Sequence, residues 1–248
     1  MKGHLLCNMT LEQCEKLINE DTIIVLPIGS KSKQHGHHLP LGTDYYVADW
    51  LAKNVAERME GVVVLPTLPY AYFAAHVSFV GTVSLTEEHF VNMVQDIIMS
   101  YVRFGVWKFL IIDNGVSTFY GTVVLARNLN NSHNIKIGVT NCRELGREAD
   151  AAVCEQKAGG HACEAETSTM LYVNEGLVHM DRATEEYSKI YPLSSKVVLE
   201  QRVGTVTGVN GNSKLATKEK GRKMMHAKLD DILLFLEAFK KYTKSDIE

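Results

Sequence analysis

The run from Ser30 to His38 concentrates reactive side chains: Ser30-Lys31-Ser32-Lys33-Gln34-His35-Gly36-His37-His38 holds three imidazoles, two ammonium groups and two hydroxyls. Imidazoles serve as acids, bases or metal ligands near neutral pH, and a desolvated lysine can become a base or a nucleophile. A little further on, Thr43-Asp44 adds a carboxylate just ahead of a helical pattern, Tyr45, Val47, Ala48, Leu51, Ala52, Val55 and Ala56. Upstream, Ile23 to Ile28 is an apolar run rich in β-branched residues and reads as a buried strand. Open α/β sheets place their chemistry where a strand hands such a cluster to a helix start. The plain alternative is a polar strand-to-helix loop.

The remaining elements must hold this stretch in place. Thr10 can cap a first helix whose Leu11, Cys14, Leu17 and Ile18 share a face. Val62 to Pro66 is a second short strand, and the long connection from Thr67 to Leu85 has the weak periodicity common in functional loops. Thr86-Glu87-Glu88 opens a helix with the apolar face Phe90, Met93, Val94, Ile97, Ile98 and Tyr101, closed by Phe104-Gly105. Then follow a strand from Trp107 to Ile112, a helix over about Thr118 to Asn128 and a strand from Ile135 to Val139. A helix is expected from Ala162 to Leu177, and a last one over about Ala216 to Tyr242 carries Leu229, Ile232, Leu233, Leu236 and Phe239 on one face. The stretch from Tyr187 to Val203 gives no clear element. Alternating strands and helices imply βαβ units and a largely parallel sheet covered on both faces. No repeat or linker interrupts residues 1–248, so one domain is expected.

Composition narrows the function classes. The chain has 248 residues, 46% hydrophobic and 22% charged, enough for a large core, and its net charge of -3 argues against nucleic acid or an anionic membrane surface as partner. Five cysteines, Cys7, Cys14, Cys142, Cys154 and Cys163, include no C-x-x-C pair and fit free thiols in a reducing compartment. No leader-like segment or membrane-length apolar run is visible, so a soluble, cytoplasmic protein is expected.

The motif stretch resembles the creatininase (creatinine amidohydrolase) family. Members carry Pro-hydrophobic-Gly at a strand end and then Glu-Gln-His-Gly-x-His-Leu-Pro-Leu-x-Thr-Asp. This chain has Pro27-Ile28-Gly29 and then Lys33-Gln34-His35-Gly36-His37-His38-Leu39-Pro40-Leu41-Gly42-Thr43-Asp44. Pro69-Tyr70-Ala71-Tyr72, His76 and Phe79-Val80-Gly81-Thr82 also resemble family segments. So do Gly160-His161-Ala162-Cys163-Glu164-Ala165-Glu166-Thr167-Ser168 and the Gly208-to-Ser213 and Ala216-to-Gly221 stretches. The resemblance covers almost the whole chain. It implies a three-layer α/β/α sandwich, a hexamer-forming homo-oligomer, and a hydrolase in which two divalent metals activate water.

The resemblance also exposes departures. Lys33 stands where members have a metal-binding Glu, and Val116 and Thr118 stand where a His and a Glu ligand are found. Of the implied ligands His35 and Asp44 remain, enough for one zinc or manganese ion at most if a metal is bound. Lys33 is expected to pair with Asp44, whose charge would otherwise be buried without a partner. Lys33 in apolar surroundings, with Ser117 in the opposing strand-end loop, is the alternative Ser/Lys arrangement, in which His161 acts as acid or oxyanion partner. Catalytic candidates are therefore Lys33, His161, Glu166 and Ser117; substrate contacts are expected from His38, His76, Tyr72, Glu164 and Thr118. If the segment is helical from Ala162, His161 and Glu164 share a face and Glu166 points elsewhere. Three functions stay open: a divergent hydrolase of a small polar amide, lactam or carbonyl compound, an inactive binder of such a ligand, and a structural subunit.

Overall fold

A computed structural model describes residues 1–188 and 205–244. Most of the stretch from Tyr187 to Val203 lies outside the described residues. Five strands, β1 (His4–Leu5), β2 (Ile23–Ile28), β3 (Val62–Val64), β4 (Lys108–Asp113) and β5 (Lys136–Val139), form one sheet in the order β1-β3-β2-β4-β5. Every pairing in it is parallel. All six residues of β2 are buried, which explains why its sequence shows no polar alternation: both faces are covered.

The pleat sorts the strand residues between two cores. Ile24, Leu26 and Ile28 join Phe109 and Ile111 against Phe90, Val94 and Ile98 of α3 (Glu87–Val102) and Leu125 and Leu129 of α4 (Val116–Ser132). Ile23 and Val25 join Leu110 and Ile112 against Val47, Leu51 and Val55 of α2 (Thr43–Arg58) and Leu229, Ile232 and Leu236 of α7 (Lys218–Lys240). The result is the α/β/α sandwich with a largely parallel sheet that the alternating pattern implies. Thr10 caps α1 (Leu11–Leu17) through a capping box with Gln13.

Topology fixes where chemistry can sit. The chain leaves β2 through α2 to reach β3 on one side, then crosses back through α3 to β4 on the other. The sheet therefore changes winding direction between β2 and β4, and the two strands end flush, Ile28 opposite Asp113. Gly29 lets the motif loop leave β2 against the start of α2: a Cβ there would stand 2.5 Å from the Asp44 carbonyl oxygen. Two short strands, β6 (Glu185–Glu186) and β7 (Gly211–Asn212), pair antiparallel outside the main sheet.

Several boundaries differ from expectation. α4 begins at Val116, and α6 (Glu164–Asn174) begins two residues after Ala162, because Ala162 has φ +48°, a left-handed conformation that cannot start a helix. α5 (Arg147–Val153) was not foreseen; it has no buried residue and so leaves no apolar periodicity to read.

Candidate active site

The motif loop delivers its side chains to the crevice beyond β2 and β4. Lys33 Nζ donates to Asp44 Oδ2 at 2.7 Å, with side-chain exposures of 7% and 4%, so the expected ion pair is present and buried. His35 joins it, Nδ1 2.9 Å from the Lys33 carbonyl oxygen and Nε2 3.0 Å from Asp44 Oδ1. Asn114, at the end of β4, donates to the Asp44 backbone carbonyl at 3.3 Å and ties the two strand-end loops together. Burial alone would raise the Asp44 carboxyl, but the charge of Lys33 and then that of His35 outweigh it and hold it well below the usual carboxylate range. Burial pulls the Lys33 ammonium down, yet Asp44 and then Glu166 outweigh that too, and its net shift is upward. Lys33 is a fixed positive charge and supplies no neutral amine.

His161 reaches the cluster from a different part of the chain. Its backbone pairs with Asn210 (Asn210 N to His161 O, 2.8 Å), and the Gly208-to-Ser213 loop folds over Gln34. Its Nε2 lies 2.8 Å from the Gln34 carbonyl oxygen and donates to it. The Gln34 side-chain amide then gives its protons to His76 Nδ1 (2.9 Å) and the Gly208 carbonyl (3.3 Å). This assignment leaves His161 Nδ1 unprotonated and turned toward Glu166 Oε2, 3.7 Å away. Glu166 also accepts from the Ala162 N–H at 2.5 Å, steadying the one non-glycine residue of the described chain with positive φ. Burial, then the charges of Lys33 and His35, push the His161 ring well below its ordinary value, so it stays neutral.

The expectation for the two glutamates is reversed. Because His161 precedes the helix, helical spacing does not relate it to Glu164. Glu166, in the first turn of α6, bends back to His161. Glu164 is fully buried and turns away, accepting from the backbone N–H groups of Glu155 and Gln156 (2.9 and 2.8 Å) and from Lys220 Nζ (2.6 Å). It cannot contact substrate.

Other expected substrate contacts are also committed elsewhere. Thr118 donates to Asp113 Oδ1 at 2.6 Å, and His38 is fully buried with Nε2 2.8 Å from Thr167 Oγ1. Tyr72 packs against the core on the α3 face. His76 stays with the cluster, its ring 4.4 Å from that of His161, but is held by Gln34. Ser117 makes no hydrogen bond to Lys33 among the described residues, so the Ser/Lys arrangement is not assembled. His37 is exposed. Gln34, missed in the sequence because an amide between Lys33 and His35 looks like loop filler, is the residue that joins the motif loop to His76 and His161.

A cavity of about 450 Å³ adjoins the cluster. Asp44 and Glu166 form part of its wall, with Asn114, Val116, Arg143 and Asp150. Cys142, Cys154 and Cys163 also line it, but burial pushes all three thiols up, Cys142 and Cys154 to about 12, so none is a thiolate nucleophile. His35, His161 and Glu166 offer ligand atoms within 4.8 Å of one another, a set able to hold a single cation.

A doubly wound α/β sandwich with an imidazole–carboxylate cluster at its winding switch is an enzyme-type architecture. Comparison with known proteins places it further. The family model described as creatinine amidohydrolase matches residues 7–236. A mycofactocin precursor peptide peptidase of Mycobacterium ulcerans is 30% identical over 223 residues, 84% of this chain and 82% of that protein. The creatinine amidohydrolase of Pseudomonas putida is 27% identical over 224 residues, 83% and 85% of the two chains. A crystal structure of creatinine amidohydrolase superposes with a TM-score of 0.84 at 24% identity, covering 98% of this chain and 100% of that one, a likeness of fold. The chain belongs to the creatininase family of hydrolases.

Proposed function

We propose that this family member hydrolyses a small polar amide, lactam or carbonyl compound with the ammonium of Lys33 in place of a dinuclear metal centre. The observation that carries this reading is the buried Lys33–Asp44 pair at 2.7 Å. A two-metal centre does not fit the residues present. The ammonium of Lys33 stands where members have a metal-binding Glu, Val116 offers no ligating atom, and the Thr118 hydroxyl is bound to Asp113. The names of the relatives, a peptidase and an amidohydrolase, support amide chemistry.

In this reading one Lys33 proton is committed to Asp44, and the buried ammonium, behind the Asp44 part of the cavity wall, stabilises through its charge the negative charge that develops on the substrate's carbonyl oxygen. Glu166, which borders the cavity beside His161, takes a proton from water as the water oxygen bonds to the carbonyl carbon. The C–N bond then breaks and that proton passes to the departing nitrogen. The Ala162 N–H orients Glu166, and His161, anchored through Nε2, stands beside it.

A second reading rests on the compact set of His35, His161 and Glu166: a single divalent cation held there. A panel of small amides and lactams, assayed with and without chelator and paired with elemental analysis of the protein, separates the two. Turnover insensitive to chelator and reduced about 10²-fold or more in Glu166→Gln is expected. Stoichiometric zinc or manganese with chelator-sensitive turnover would favour the single-cation reading. Ligand binding without turnover would make the chain a binder.

A further inference from the structure

We propose that Arg143 recognises an anionic group of the substrate, which is therefore an amide or lactam bearing a carboxylate, such as an N-acyl amino acid or a carboxylated lactam; this rests on the hydrolase reading above. The charges along the cavity wall largely cancel in pairs. Asp44 is bound to Lys33, Asp150 Oδ2 to Lys228 Nζ at 2.9 Å, and Arg147 to Glu144 at 3.1 Å. Among the described residues, two charges on the wall make no ion pair with a charged group: the carboxylate of Glu166, whose field reaches Lys33 but whose near neighbour is the neutral His161 ring, and the guanidinium of Arg143. The Arg143 guanidinium donates to no side-chain or backbone acceptor among the described residues; only its backbone N–H is bound, to Asn141 Oδ1. It lies over the backbone that leads into His161: its Nη2 stands 3.6 Å from where a Cβ on Gly160 would be. An exposed arginine fork at the border of a cavity suits a planar carboxylate, which it can bind through two parallel hydrogen bonds.

A second feature of the same wall points to the rest of the ligand. Asp150 Oδ1 is buried and has no hydrogen-bond partner among the described residues, so a bound molecule that brings an N–H donor would satisfy it. Carboxylate and N–H together describe an acylated amino acid or a lactam acid. A phosphate dianion fits less well, because the Glu166 carboxylate shares the wall and would repel a doubly charged group more strongly than a single carboxylate.

The test compares two acids with neutral counterparts that lack the carboxylate: 5-oxoproline against 2-pyrrolidinone, and N-acetylglycine against N-ethylacetamide. The acids are expected to have the higher kcat/KM by about tenfold or more, chiefly through KM. In Arg143→Gln the acid-to-neutral ratio should fall about 10- to 100-fold, with partial recovery in Arg143→Lys. Where no compound is turned over, binding of the same four at fixed ionic strength is read by NMR titration. Acid-selective binding that is lost in Arg143→Gln then upholds the anion site while the hydrolase reading fails. Equal handling of acid and neutral compounds, no binding of any of them, or an acid preference unchanged in Arg143→Gln overturns the proposal.

Discussion

Lys33 is informative because its partner cannot leave. Asp44 sits at the start of α2 with 4% side-chain exposure, and a carboxylate there needs a cation or a set of donors. Breaking such a pair from one side typically costs about 3–5 kcal/mol, whereas replacing both members is often close to neutral. Lys33→Met is therefore expected to lower unfolding free energy by about 3–5 kcal/mol, and adding Asp44→Asn to restore most of it, measured by denaturant titration. A single variant as stable as the parent would show that His35 and the loop backbone satisfy Asp44 alone. At this scale the sequence was legible where a motif position broke its pattern, as at Lys33, Val116 and Thr118. It was illegible where a side chain's direction depended on one backbone torsion. The left-handed Ala162 decides that Glu166 and not Glu164 meets His161, and no residue type announces that torsion at an alanine.

Elements were legible in proportion to their burial. β2, α2, α3 and α7 each bury a continuous stripe and were read within about two residues of their ends. α5, with no buried residue, left no pattern, and β1, β6 and β7 are two residues long. One packing contact governs how α7 meets the helix that follows the site. Gly221 lies against the backbone of Ser168 in α6, so closely that a Cβ would overlap the Ser168 carbonyl. The backbone of a helix cannot yield as a flexible side chain would. Gly221→Ala is expected to destabilise the protein by about 1–3 kcal/mol, even though alanine is the better helix former. It should also disturb the site, since Glu166 lies in the first turn of α6. A melting temperature raised by the helix preference would show instead that the two helices separate freely.

For the whole molecule, the buried polar groups set the pH at which the fold is most stable. Burial, then the charges of His35 and His37, lower His38 to about 4; burial, then the charge of Lys33, lowers His76 to about 3, and His161 is pushed the same way. An unfolded histidine takes up its proton near 6.5, so between that pH and about 4 the unfolded chain binds more protons than the folded one. Stability must then fall as pH drops through this window. Asp113 acts in the opposite sense. Burial raises it to about 6 despite hydrogen bonds from Thr118, Gly115 and Thr122, so protonation of the folded state between about 6 and its ordinary 3.8 adds stability on acidification. The histidines outnumber it, and the melting temperature should decline by several degrees from pH 7 to pH 4.5. Asp113→Asn removes the opposing contribution. Its amide can still accept from Gly115 and Thr118, and Thr122 has the Phe119 carbonyl at 3.0 Å as an alternative acceptor, so the fold is retained. The decline should then be steeper than in the parent, by calorimetry at matched ionic strength. A parallel or shallower decline would mean that Asp113 is already ionised at pH 4.5 and that its three donors outweigh its burial.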